Sequence, residues 1–134
     1  GGGARQVFTV EEGRLGGVIG PKGGTIRKLR DATGCQVDVL RDPAYPGAVS
    51  VSGPDDESVS LAVSWINDIV NGPAPGTVLE GTVSRVLDFG CTVLLRQGTV
   101  EGFVHISQMD DQRVETVPVQ EGEAVRVVVL GSDE

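Results

Sequence analysis

The rhythm of hydrophobic and polar positions changes once along the chain, near residue 71. Before that point, alternating runs are interleaved with runs of helical spacing. Residues 6–10 (QVFTV), 36–40 (QVDVL) and 48–52 (AVSVS) alternate, which predicts three strands, with Val37 and Val39 together on a core-facing side. Residues 11–19 predict a weak helix, because Gly13, Gly16 and Gly17 lower its propensity. Residues 25–33 predict a better one, with Ile26 and Leu29 turned inward. Gly34 follows where a left-handed cap belongs. RDPAYPG, residues 41–47, reads as a loop. Pro54 is expected to open a third, longer helix, with Asp55, Asp56 and Glu57 complementing its dipole. Val59, Ala62, Val63, Ile66, Ile69 and Val70 form its apolar stripe, and Trp65 lies beside it. The predicted order is strand-helix-helix-strand-strand-helix.

The segment NGPAPG, residues 71–76, holds two prolines and two glycines, and reads as a linker. Beyond it the chain is Val-rich and β-branched. Strands are predicted over 77–87, 89–96, 100–106 and 124–130, with Gly90, Gly98 and Gly102 marking bulges or turns. Residues 108–123 form a long polar connection with at most a helical turn. Closely spaced short strands of this kind suggest a small barrel, whose closing strand would lie beyond residue 134. The expected architecture is α+β: a tail or linker at 1–5, a mixed domain at 6–71, a Pro/Gly linker at 72–76 and an all-β domain at 77–134, incomplete at its carboxyl end.

Charge narrows the function. Eleven Lys and Arg face nineteen Asp and Glu, a formal net charge of −8. A chain of this sign does not coat nucleic acid through bulk positive charge, so any phosphate binding must be local. One histidine and two separated cysteines, Cys35 and Cys91, leave too few ligands for a zinc site and only His105 for a Ser-His-Asp arrangement. Paired acidic runs at Asp55-Asp56-Glu57 and Asp110-Asp111 read as solvated charge. The expectation is a binder without catalytic residues, metal or cofactor. No apolar run approaches the length of a membrane span, and GGGAR at the amino terminus has no signal-peptide core behind it. Unpaired cysteines suit a reducing compartment.

The most informative run is VIGPKGGTIRKL, residues 18–29. Gly20-Pro21-Lys22-Gly23 lies between two predicted helices, and Gly24 leads into the second. Glycines permit a tight reversal and let a nucleic-acid backbone approach without a Cβ in the way. The helix that starts there points free N–H groups and its positive end at the same spot. Lys22 adds a mobile cation, and Arg27, Lys28 and Arg30 follow on positions expected to be exposed. Residues 22–31 carry a net +3 inside an acidic chain. A P-loop is excluded, because Lys22 is flanked by Pro21 and Gly23 and the preceding segment is not a strand. These residues, with the element order, resemble a type I KH domain over residues 6–71. The resemblance implies a single-stranded RNA or DNA binder that clamps a few nucleotides with its GXXG loop. It implies that Gly20, Pro21, Lys22 and Gly23 hold phosphates, that Ile19 and Ile26 line the groove floor, and that Arg27 and Lys28 flank it.

In the second half, DFGCTV and EGFVHIS bring Phe89, Phe103 and His105 into neighbouring strands, Phe103 and His105 with the same parity. Two readings stay open on these residues alone: a stacking platform for bases, or two core rings and a surface histidine. The strings TVLEGTVSRVLDFG and EGFVHISQM resemble the S1-type RNA-binding domain, an OB-fold barrel. That resemblance implies an RNA face lined by Phe89 and His105, with Thr92 where many members carry a second aromatic. Residues from 72 onward hold four basic and ten acidic side chains.

KH followed directly by S1 is similar to the carboxyl-terminal end of the polynucleotide phosphorylase family. The resemblance implies RNA capture for a trimeric, phosphate-dependent 3′-to-5′ exoribonuclease whose catalytic core lies upstream, in a bacterial cytoplasm or an organellar matrix. Protein partners of a degradosome kind are implied with it. The alternatives are a stand-alone KH–S1 component of a ribonucleoprotein such as an organellar ribosome, or a protein-contacting scaffold that has lost RNA binding.

Overall fold

The computed structural model describes residues 3–105 and 119–130. The chain divides between Gly72 and Pro73 into two compact units. In the first, β1 (Ala4–Thr9), α1 (Leu15–Ile19), α2 (Gly24–Thr33), β2 (Gln36–Val39), β3 (Ala48–Gly53) and α3 (Asp56–Asn71) follow the predicted order. The strands pair antiparallel as β1-β3-β2, with Val37 opposite Val51 and Val39 opposite Val49. One sheet face therefore presents a valine layer to the three helices. Val18, Leu29, Val37, Val49, Val51, Ala62 and Ile66 are completely buried there. Trp65 belongs to the same core, while Val39, Val63 and Ile69 are only half-buried.

Local chemistry sets the helix boundaries. The weak helix expected over 11–19 divides into a 3₁₀ turn, Glu12–Arg14, and the five-residue α1. Arg14 stabilises the junction by bonding Glu11 and donating to the carbonyl of Val70 at the far end of α3. Gly34 adopts φ 72° and returns its N–H to the Arg30 carbonyl at 2.9 Å, the cap that the sequence predicts. The start of α3 differs from expectation. Pro54 stands outside the helix, and Asp55 is the N-cap, accepting the Ser58 N–H at 2.7 Å.

The second unit is a four-stranded antiparallel sheet in the order β6-β5-β4-β7. Its strands are β4 (Val78–Leu87), β5 (Gly90–Leu95), β6 (Val100–His105) and β7 (Ala124–Val128). The sheet does not close into a barrel within the described residues. Val83, Cys91, Val93, Leu95 and Val100 are buried on its inner face. Burial and the nearby Glu123 carboxylate both push the Cys91 thiol above its ordinary pKa, so it stays protonated. The predicted end of β6 at Ile106, the Asp110-Asp111 pair and most of the 108–123 connection lie outside the described residues.

Three glycines were expected to mark turns or bulges, and they divide. Gly98, at φ 87°, ends the turn between β5 and β6. Gly102 sits in regular strand opposite Val93. Gly90 opens β5, and a Cβ there would meet the Val104 carbonyl oxygen and lie 2.6 Å from Phe103 Cζ. The actual irregularity falls at Ser84, where the β4–β5 register shifts between Val83 and Arg85.

Two predictions follow from these contacts. Gly90→Ala forces a methyl against backbone and is expected to cost about 1–3 kcal/mol in denaturant unfolding. The Ser58 N–H holds the Asp55 carboxyl below its ordinary 3.8. The cap thus contributes stability above that ordinary value, and the contribution fades as pH falls through the lower folded value. Asp55→Asn should keep most of the neutral-pH melting temperature and lose this part of the acid dependence, whereas Asp55→Ala should lower the melting temperature at neutral pH.

Candidate nucleic-acid interface

The glycine-rich turn joins α1 to α2 through backbone conformations that few residues adopt. Gly20 takes φ 75° and ψ 169°, a region confined essentially to glycine, and its N–H closes α1 onto the Gly16 carbonyl. Lys22 and Gly23 are both left-handed, at φ 56° and 72°. A Cβ on Gly20 would run into Thr25, whose backbone nitrogen is 2.7 Å away, so this glycine is fixed by space as well as by torsion. A Cβ on Gly23 would meet nothing closer than Arg27 Nη2 at 3.8 Å. Gly23 is also the N-cap of α2; the Gly24 N–H is bonded to the Pro21 carbonyl, and the remaining first-turn N–H groups have no capping side chain. Those donors and the positive end of a ten-residue helix face the turn.

The cations around the turn behave differently from one another. The Lys22 ammonium is exposed and makes no ion pair or hydrogen bond among the described residues. Arg27 is exposed, and its Nη2 donates to the Lys22 carbonyl at 2.9 Å, bracing the turn from the helix side. Lys28 is exposed and engaged with the protein. Arg30, expected to be exposed, is half-buried instead. It donates through Nη2 to the Val37 carbonyl at 2.6 Å and lies 3.6 Å from Asp38. Its charge ties α2 to β2 and is not available to a ligand. Ile19 and Ile26 are half-buried on either side of the turn, Ile26 packed against the core. Pro21 is exposed, and Gly24 opens α2.

In the second unit the two rings are on the surface, which removes the core reading for them. Phe89 is 55% exposed and Phe103 48%, with ring centroids 5.7 Å apart and planes tilted by 46°. Phe89 was expected in a strand, but it occupies the two-residue turn between β4 and β5. Gly90 beside it leaves the room that the Phe103 ring fills. His105 is exposed on the same sheet face as Phe103, two residues on, and is paired in register with Gly90. Thr92 stands directly opposite Phe103. The second ring that an aromatic at Thr92 would supply thus comes from the neighbouring strand.

Sequence reasoning passed over one residue on this face. Without an irregularity, Arg85 would share the inward parity of Val83. The register shift at Ser84 turns it outward, opposite Thr92, so Phe103, Thr92 and Arg85 form one row across three strands. The signal was the break in alternation at Val83-Ser84-Arg85-Val86, two polar residues between two valines.

Comparison with known proteins agrees with both halves of this geometry. The KH domain family matches residues 5–68, and the S1 RNA binding domain family matches residues 72–134. Polyribonucleotide nucleotidyltransferase of Parvibaculum lavamentivorans is 41% identical over 131 residues, 96% of this chain and 17% of the relative. The proteins of the same name from Bradyrhizobium sp. ORS 278 and Rhodospirillum centenum are 37% and 36% identical over the same share of this chain, which spans 18% of each. The chain therefore covers under a fifth of the length of the curated relatives it matches. It is a KH domain followed by an S1 RNA-binding domain, similar along nearly its whole length to the corresponding part of polyribonucleotide nucleotidyltransferases.

Proposed function

We propose that this chain captures single-stranded RNA for a phosphorolytic 3′-to-5′ exoribonuclease of the polynucleotide phosphorylase kind, and has no catalytic part itself. The observation that carries the reading is the Gly20–Gly23 turn. Left-handed backbone, an uncapped helix start and the unpaired Lys22 ammonium converge there, in a chain whose overall charge repels nucleic acid. Gly20, Pro21, Lys22, Gly23 and Gly24 receive the phosphates. Ile19 and Ile26 lie under the bases, while Arg27 holds the turn in shape and Lys28 flanks it. Phe89, Phe103 and His105 form the stacking face of the S1 unit.

The names of the relatives support the enzyme reading over the ribonucleoprotein alternative. On that reading the working protein is a trimer assembled through an upstream core, in a bacterial cytoplasm. Among the described residues, no helix is long and apolar enough to cross a membrane.

Fluorescence anisotropy with a short labelled RNA, single-stranded and as duplex, at a series of salt concentrations tests this directly. Binding confined to the single strand and weakened by salt is expected, with a shallow slope of about −0.7 per neutralised phosphate. Lys22→Asp is the sharper probe than an Asp at Gly20, which would break the turn against Thr25. Aspartate tolerates the left-handed backbone at this position. It should raise the Kd at least tenfold with the melting temperature nearly unchanged. Equal affinity for wild type and variant would refute the loop assignment.

A further inference from the structure

We propose that the bulge at Ser84 builds a phosphate subsite on the S1 sheet. Arg85 would bind there a phosphodiester of the same RNA strand whose base lies on Phe89 and Phe103. This rests on the reading of the second unit as an RNA-binding face and adds to that face a charged component.

The bulge turns Arg85 onto the aromatic face at a position two strands from Phe103, roughly 10 Å away across the sheet. An extended arginine spans much of that distance, so a nucleotide stacked at the rings has its backbone within reach. The bulge is held in place. Ser84 Oγ lies 2.6 Å from Thr92 Oγ1 and 3.2 Å from the Thr92 carbonyl oxygen, so the residue that creates the shift is clamped to the residue facing Arg85. Thr92 itself is small, which keeps the surface between guanidinium and rings low and open.

Charge is the second, independent observation. Of the described cations in this acidic unit, Arg126 is paired with Glu80 at 3.2 Å and Arg96 is engaged with the protein. Arg85 is exposed and makes no ion pair or hydrogen bond among the described residues. Among the described residues, neither Glu101, on the same face, nor Asp88, in the β4–β5 turn, forms an ion pair with it. Among the described residues, the unspent cation of the unit therefore sits on its aromatic face. An arginine fork donates to two phosphate oxygens at once, and a stacked nucleotide offers that pair at its backbone.

The test uses the full chain and a short unstructured RNA, with anisotropy over a salt series. Arg85→Gln is expected to raise the Kd on the order of tenfold. It should also flatten the salt slope by about 0.7, one phosphate fewer. Arg85→Lys should keep the slope and part of the affinity, and Arg126→Gln, which removes a cation already spent on Glu80, should change neither. Phe89→Ala should weaken binding without altering the slope. If Arg85→Gln leaves affinity and slope intact while Phe89→Ala still weakens binding, the phosphate subsite is wrong and the stacking face stands. If neither matters while Lys22→Asp abolishes binding, the RNA reading of the second unit fails and the subsite falls with it. If Arg85→Lys binds no better than Arg85→Gln and both lower the melting temperature, the residue is structural and the proposal is overturned.

Discussion

A chain with a net charge of −8 holds a polyanion only where its cations are not already committed to its own oxygens. Most of them are committed. Arg5 bonds Ser50, Arg14 bonds Glu11 and the end of α3, Arg30 bonds the Val37 carbonyl, and Arg126 pairs with Glu80. Arg27 is spent on the turn that it braces. Among the described residues, Lys22, Arg41 and Arg85 make no such bond. Two of these three stand at the features otherwise suited to nucleic acid, the glycine turn and the aromatic sheet face. Total charge argues against RNA binding; on the proposed reading, the distribution of unspent charge is what admits it.

Backbone geometry does the remaining work, because so few cations are free. At the turn, the Gly24 N–H is taken by the Pro21 carbonyl, and the other N–H groups in the first turn of α2 supply fixed positive charge without a capping side chain from Gly23. On the sheet the equivalent device is a missing Cβ. Gly90 lets the Phe103 ring settle beside the β4–β5 turn, which brings it to Phe89 and makes one surface from two elements. Both features depend on what a glycine omits, and neither tolerates alanine at Gly20 or Gly90.

Much of this was legible in the sequence, for identifiable reasons. Valine alternation set the strands, and the Val37–Val51 and Val39–Val49 pairs follow from it. Gly34 announced its cap. Most of the departures turn on a shift of one residue. Pro54 and Asp55 both favour a helix start, and the Asp55 bond to Ser58 decides which is the cap. Phe89 was placed in a strand although the hairpin turn takes it. The bulge at Ser84 reverses the side-chain parity beyond it, so Arg85 reaches the aromatic face by a device that periodicity does not carry. Arg30 was read as surface because its spacing is right for it, and only the fold brings the Val37 carbonyl within its reach. Composition counts charges and cannot say which are spent.

The economy of charge also bears on why two such units are joined. Each site offers few charged contacts, and a single strand held by one or two phosphates and a stacked base dissociates readily. The join is short: Gly76 and Thr77 are already bonded to the β7 end of the second unit through Val129, which leaves a few residues after Gly72 as the free connection. A strand bound at one unit then meets the other at an effective concentration in the millimolar range for short flexible links. Two weak sites on one strand multiply their affinities up to that limit, with no new contact. A substrate engaged in this way is held firmly while both contacts last and lets go stepwise, one weak contact at a time. On the proposed reading of a module that captures RNA for a larger enzyme, that behaviour serves better than a single tight site.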